Sequence, residues 1–129
     1  MHYGVGDRVA ATEAAIETEV QRLPIEIVVG RLTELVGVVV TGAVGNVMKE
    51  QIVRRWIDGD LKPERESQLR FAYRIALMLA AAQGAMAVQS WFKGSNASLG
   101  DRSPALVLRD DFSDATQLAI LNSVRRLGQ

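Results

Sequence analysis

A glycine-punctuated run at residues 38–46 has the residue types that a cofactor-binding turn would need. It reads Val-Val-Val-Thr-Gly-Ala-Val-Gly-Asn. In dinucleotide-binding turns, glycines at such spacing let backbone amides approach a pyrophosphate. Here Met48 takes the place of the third glycine. No acidic residue follows on a second strand about 20 residues later. The run is therefore an incomplete dinucleotide motif, and 129 residues leave little room for a doubly wound sheet.

Two other catalytic arrangements lack their decisive residue. Gly37 and Gly42 have the spacing of a phosphate-binding loop, but Ala43 follows where that loop requires lysine. The single histidine, His2, lies near the first residue, where chain ends are commonly frayed. Cysteine is absent, which excludes disulfides, thiolate metal sites and cysteine nucleophiles.

The remaining chemical candidates are two carboxylate pairs, Asp58 with Asp60 and Asp110 with Asp111. Both pairs fall at expected helix boundaries, where aspartate commonly caps backbone amides or stays solvated. We therefore expect no catalytic residue, no metal site and no cofactor.

Charge and hydropathy restrict the location and the partners of the chain. Fifteen Lys and Arg balance fifteen Asp and Glu, so total charge indicates neither nucleic acid nor a membrane surface. Only residues 49–74 are locally basic with helical spacing, with seven basic and five acidic side chains. The first residues lack the pattern of a secretory signal, and the longest apolar run, at residues 35–48, is too short to span a bilayer. We expect a cytoplasmic protein without a membrane partner.

Hydrophobic spacing predicts an all-α fold with one compact core. Helices are expected at residues 11–23, 51–57, 69–82, 86–92 and 114–127. The turn residues 58–60, with Gly59 at their centre, would end the second of these helices, and Ser113 or Asp114 would cap the start of the last one. The helix at residues 69–82 is apolar on nearly every side, which is typical of the centre of a bundle. The β-branched runs at residues 27–29 and 38–40 also fit strands by local propensity, so this part stays ambiguous. In the last helix, the residues expected to face inward are Ala115, Leu118, Leu121 and Val124.

Three segments are expected along the chain. Residues 1–30 would form an N-terminal helical extension, residues 31–64 a helix-turn-helix-like region, and residues 65–129 a C-terminal helical domain. Two independent domains are not expected, because the chain has residues for one sizeable core.

The helix-turn-helix would consist of helices at residues 38–45 and 49–57 with a turn at residues 46–48. Ile52, Val53 and Trp56 would then pack inward. The DNA-facing candidates are Lys49, Gln51, Arg54 and Arg55, because such side chains bind phosphates and base edges.

Two considerations oppose this DNA-binding interpretation. Arg54 and Arg55 can equally form a solvated face and pair with Asp58 one turn on. Gly42 and Gly45 would each weaken the first helix by about 1 kcal/mol relative to alanine. A degenerate helix-turn-helix that keeps the shape without tight operator binding is therefore an open alternative.

Residues 91–104 combine an aromatic pair with a polar loop. Trp91 and Phe92 can anchor a helix end in the core, and Gly94 permits the chain to leave that helix. Pro104 suits the first turn of the next helix. A packed helix-loop-helix corner accounts for these residues equally well.

Several motifs resemble the Xre/MbcA/ParS family of bacterial antitoxins. Residues 91–104 follow the pattern W-F-x-G-x-N-x-x-L with a spacer and proline, and residues 53–63 follow V-x-x-W-x-x-G-x-x-x-P. Residues 69–74 are similar to the L-R-x-A-Y-x segment of the same family. The resemblance covers roughly residues 31–127 and departs at Ala97, where many members have proline.

The resemblance implies a protein that pairs with a RES-domain toxin, which depletes NAD, and covers the entrance of its active site. It also implies repression of the operon through operator DNA bound by Lys49, Gln51, Arg54 and Arg55. A homodimer or a larger toxin–antitoxin hetero-oligomer is expected. The toxin-facing candidates are Trp91, Lys93, Asn96, Leu99, Arg102, Pro104, Asn122, Arg125, Arg126 and Leu127.

Two other function classes stay open. A stand-alone Xre-like transcriptional regulator would have the same helix-turn-helix and no toxin partner. A dinucleotide-binding fragment would form a strand near residues 36–41.

Overall fold

The fold is all-α in a computed structural model that describes the backbone of residues 5–128 and the side chains of residues 12–128. This part of the chain contains eight α-helices and no strand, which confirms the predicted fold class. The helices are α1 Val5–Arg22, α2 Ile25–Val36, α3 Val38–Val44, α4 Glu50–Asp58, α5 Glu66–Gln83, α6 Val88–Lys93, α7 Pro104–Asp110 and α8 Asp114–Leu127. Short 3₁₀ turns occur at Ala85–Ala87 and Ala97–Leu99.

Helix α5 lies at the centre of the fold and packs against α1, α2 and α8. Its fully buried side chains occur on more than one side of the helix, because neighbours surround it. They are Leu69, Ala72, Tyr73, Ile75, Ala76 and Leu79. The expectation of a central helix at residues 69–82 is therefore confirmed.

Side chains from α5 and from the residue before it also bind the carboxyl ends of three other helices. The last carbonyl groups of a helix have no partner within that helix, so such donors satisfy them. The bonds run from Arg70 Nη1 to the carbonyls of Val20 and Leu23 at 2.5 and 2.8 Å, from Arg65 to that of Arg109, and from Gln83 to that of Leu127. The ends of α1, α7 and α8 are thus positioned by one element.

Both β-branched runs are helical, since tertiary burial outweighs local strand propensity. Val28, Val29 and Val40 lie in the shared core. Gly37 separates α2 from α3 with φ 87° and ψ 161°, a backbone conformation that is open essentially to glycine alone. The expected division at residues 30 and 31 falls inside α2, whereas the one at residues 64 and 65 falls in the turn before α5.

The orientation of α8 matches the expected one at Val124 and Leu121 and differs at Ala115 and Leu118. Ile120 and Val124 are buried, whereas Ala115 is exposed and Leu118 is 53% exposed, so their inward placement was wrong. The helix packs against α5 and against the turn at Ala97–Leu99. Apolar spacing alone could not distinguish the two adjacent stripes.

Candidate functional site

The connection between α3 and α4 folds back closely on itself. The Val47 amide donates to the Gly42 carbonyl at 2.8 Å, and Asn46 takes a left-handed φ of 61°. A Cβ at Gly42 would lie 2.9 Å from the Val47 oxygen. These contacts fix the short turn between α3 and α4, where the sequence predicted a turn between two helices.

Gly45 is required by the packing of a tryptophan. A Cβ at Gly45 would lie 2.5 Å from the indole ring of Trp56, which is only 3% exposed. Gly42 and Gly45 count against a stable first helix. In the structure, however, Gly42 lets the chain turn back and Gly45 leaves room for the indole of Trp56.

The inward residues of α4 match the prediction. Val53 and Trp56 are buried, and Ile52 packs partly against the same core. Gly59 ends the helix in the left-handed conformation at φ 82°, as expected for a glycine after the last turn.

The four DNA-facing candidates, Lys49, Gln51, Arg54 and Arg55, are all exposed. Two of them are already ion-paired: Arg54 lies 3.6 Å from Glu50 and Arg55 lies 3.4 Å from Asp60. The pairing of these arginines with Asp58 was wrong, because the left-handed turn at Gly59 brings Asp60 back toward α4.

A surface groove of about 410 Å³ lies between α3, the turn and the start of α4. Its apolar lining includes Val38, Val39, Ala43, Val47 and Met48. Val39 is 76% exposed and Met48 is fully exposed. Sequence reasoning missed this groove, although three successive valines in a helix cannot all face one core.

The loop after α6 is anchored by aromatic packing and closed by polar bonds. Phe92 is fully buried, and half-buried Trp91 packs edge-to-face on it with ring centroids 5.2 Å apart. The Asn96 side chain accepts the Ser98 amide at 2.9 Å. Gly94 ends the helix, as expected, with an extended backbone at φ −83°.

Two side-chain bonds join this loop to α8. Asn96 Nδ2 donates to Ser123 Oγ at 3.1 Å, and Arg126 Nη2 donates to Ser98 Oγ at 2.7 Å. We use the name loop–α8 surface for residues 95–99 together with Ser123 and Arg126. The structure thus brings the expected loop and the C-terminal helix together, although they lie far apart in the chain.

Three of the expected toxin-facing residues have other contacts. Pro104 is buried as the first residue of α7. Arg102 pairs with Asp110 at 2.6 Å. Arg125 turns toward α1 and binds Glu13 at 2.9 Å, which raises the pKa of that guanidinium. The side chain of Pro104 cannot meet a partner, and that of Arg125 serves the fold.

The other expected residues surround the joined segments. Lys93 and Asn122 are exposed, Leu127 is 38% exposed, and Leu99 is half-buried against the core. Within the described residues, neither Lys93 nor Arg126 has a carboxylate partner.

Asp110 and Asp111, one of the two carboxylate pairs considered for chemistry, have structural contacts. Hydrogen bonds from Arg109, with Arg102 nearby, lower the pKa of Asp110. Asp111 accepts the Thr116 hydroxyl at 2.6 Å and the Ser113 amide at 3.0 Å, and these bonds lower its pKa. Both groups stay ionised at neutral pH, which does not suit a general acid.

The remaining chemical arrangements find no geometric basis. Residues 38–44 are helical, so the strand that a dinucleotide-binding turn needs does not form. His2 lies outside the described residues. Among residues 12–128, no three metal-ligating side chains cluster. In the same part of the chain, no helix combines the length and apolar character needed to cross a membrane.

Comparisons with protein-family models, with curated proteins and with solved structures find no match to this chain. The function must therefore be argued from the surfaces described above.

Proposed function

We propose that this chain is an antitoxin that docks on a RES-domain toxin and blocks access to its active site. The chain performs no chemistry in this mechanism. The observation that carries the proposal is the joining of the loop to α8, because the resemblance assigns the toxin contact to these two segments. A partner that meets both would require them to lie side by side.

The polar bonds of the loop–α8 surface support the same proposal. Asn96 bonds within the loop and to Ser123, so the loop is ordered before any partner binds. A preorganised surface loses less conformational entropy on association than a mobile one. An ordered surface of this kind suits a protein that blocks the active site of another protein sterically.

The cations at the loop–α8 surface suggest which side chains surround the active-site entrance of the toxin. Arg126 binds a neutral hydroxyl at 2.7 Å, and Lys93 immediately precedes the loop. Cations without carboxylate partners steer association with an acidic surface. We expect acidic side chains around the entrance that this surface covers.

The first experiment is recovery of the partner. The tagged chain would be purified from its host at native expression, and stoichiometric proteins would be identified. A small partner that kills cells when expressed alone, and is neutralised by coexpression, is the expected result. Recovery of no such partner would reject the antitoxin proposal.

A matched pair of charge reversals then tests the surface. Arg126→Glu and Arg22→Glu each reverse an exposed cation in the last turn of a helix. Only the first should weaken toxin affinity, by about tenfold or more, because rim charges steer association and arginines buried by a partner can be binding hot spots. Equal toxin affinity for both variants would remove the loop–α8 surface from the proposal.

Operator binding remains a prediction, with the stand-alone regulator as its alternative form. It is supported by the order of α3 and α4 and opposed by the internal pairing of Arg54 and Arg55. If α4 reads DNA, Arg54→Ala with Arg55→Ala abolishes the shift of operator DNA and leaves toxin binding intact. Tight operator binding without any protein partner would favour the stand-alone regulator.

A further inference from the structure

We propose that the groove between α3 and α4 binds a second copy of this chain, with Met48 of each copy inserted into the groove of the other. The proposal is independent of the toxin, since it concerns a different surface. It rests on shape, on apolar exposure and on the distribution of charge around the groove.

The groove exposes apolar side chains that no part of the fold covers within the described residues. Val38, Val39, Ala43, Val47 and Met48 all line it, and Val39 and Met48 are the most exposed of these five. Exposed apolar side chains clustered in a concave surface are typical of protein interfaces. DNA backbones are bound mainly by cationic and polar side chains. The groove has four polar lining residues, Asn46, Lys49, Glu50 and Arg109, but Glu50 is anionic and Arg109 is already paired with Asp110 at 2.7 Å.

This region carries both a projecting apolar side chain and an apolar groove, which a self-complementary contact needs. A fully exposed methionine stands beside an apolar groove of about 410 Å³. In a twofold interface the same patch occurs on both copies, so each contact is made twice. Met48 of one copy can therefore fill the groove of its partner while its own groove receives the partner's methionine. Methionine suits this role, because its flexible thioether adapts to irregular spaces.

Charge favours a second copy over a polyanion. Lys49 and Glu50 are neighbours on the rim of the groove, so a twofold axis can place each opposite its counterpart. The segment at residues 49–60 balances its charges, with Lys49, Arg54 and Arg55 against Glu50, Asp58 and Asp60. A neutral surface releases few counterions from DNA. The formal net charge of zero also removes net repulsion between two copies.

This interface would cover the start of α4. The beginning of that helix is the part that a helix-turn-helix inserts into the major groove. Self-association and operator binding would therefore exclude one another, and the region would keep the helix-turn-helix shape for a protein contact.

The test compares two methionines in the full-length chain. Met48 and Met86 are 102% and 97% exposed, but Met86 lies outside the groove. Sedimentation equilibrium should give a dimer for the parent chain. Met48→Glu should raise the dimer dissociation constant by about a hundredfold or more, because two buried methionines are lost per dimer. Met86→Glu should leave it unchanged.

A second variant, Val39→Glu, tests the groove independently in case Met48→Glu does not fold. Val39 lies in the first turn of α3, where a carboxylate complements the helix dipole, so Val39→Glu should keep the fold. Circular dichroism would verify helicity, and Val39→Glu should weaken the dimer as Met48→Glu does.

Three results would overturn the proposal. A parent chain that stays monomeric at all concentrations would exclude the interface. Equal weakening by Met48→Glu and Met86→Glu would show that the groove is not the contact. Loss of operator binding in both groove variants, with an intact dimer, would assign the groove to DNA.

Discussion

The arginines of the helix-turn-helix region and of the loop–α8 surface have different kinds of partner. On α4, Arg54 and Arg55 each pair with a carboxylate nearby in the chain. On the other surface, Arg126 binds the neutral hydroxyl of Ser98. A cation that already has an anion gains little from a charged partner, whereas one held by a hydroxyl keeps its charge for association. The number of arginines on a surface is therefore a poor guide to what that surface binds.

The two regions also differ in what holds them in place. The helix-turn-helix region depends on the buried indole of Trp56, seated against Gly45. The loop depends on the hydrogen bonds that Asn96 donates to Ser123 and accepts from Ser98, beside the half-buried Trp91. Packing defects should therefore affect the first region most, while the second should tolerate them better.

The largest expected effect separates the two tryptophans. Trp56→Ala should lower the free energy of unfolding by about 3–5 kcal/mol, because it leaves a cavity in a closed core. Trp91→Ala should cost clearly less, since that ring is half-exposed. Urea denaturation monitored by circular dichroism measures both values. Equal losses would contradict the contrast between the two regions.

Gly45→Ala should lower the free energy of unfolding by about 1–3 kcal/mol, through overpacking against Trp56. Gly30→Ala is the control, because a Cβ there would lie 3.7 Å from Ile57, an ordinary contact. That control should stabilise the protein by about 0.5–1 kcal/mol, as alanine does within helices. Thermal unfolding of both variants would give the signs, and stabilisation by Gly45→Ala would refute the packing argument.

Adjacent arginines on α8 should differ in their roles, because Arg125 binds α1 and Arg126 lies on the loop–α8 surface. Arg125→Ala should lower the free energy of unfolding by about 1 kcal/mol, because the half-buried Glu13 then keeps only its longer contact with Arg74, at 3.9 Å. Arg126→Ala should change it by less than about 0.5 kcal/mol, as surface substitutions usually do. Chemical denaturation of the two variants gives the comparison. A larger loss for Arg126→Ala would reverse the assignment.

The smallest effect concerns Asp111, whose pKa is lowered by hydrogen bonds from Thr116 and Ser113. A carboxyl group with a lowered folded-state pKa contributes stability above its unfolded value, and this is lost as pH falls through the folded-state value. Asp111→Asn should therefore be less stable than the parent at neutral pH, and the difference should shrink in acid. Glu34→Gln is the control, since the side chain of Glu34 makes no hydrogen bond or ion pair within the described residues. Stability measured across pH that gave parallel curves for Asp111→Asn and its parent would contradict this.

Sequence predicted the features that depend on neighbours in the chain. The spacing of Val53, Trp56 and Gly59 indicated the inner side and the end of α4. Ser113 caps α8 by accepting the Thr116 amide, and Pro104 opens α7, both from local backbone chemistry.

Features that depend on distant contacts could not be obtained this way. Arg125 meets Glu13 across 112 residues, and nothing in either segment indicates the pairing. Gly45 looks like a weakness in a helix until the indole that occupies its space is known. The groove at Val39 and Met48 likewise depends on the angle between two short helices.

The three helix ends held by Arg65, Arg70 and Gln83 imply a rule for how the length of this chain can vary. Each residue added to a helix or deleted from it rotates all later residues of that helix by about 100°. A single insertion in α5 would therefore turn Gln83 away from the end of α8 while Arg70 still held α1. Natural or engineered changes in length should accumulate at the junctions between helices, and α5 should keep its residue count.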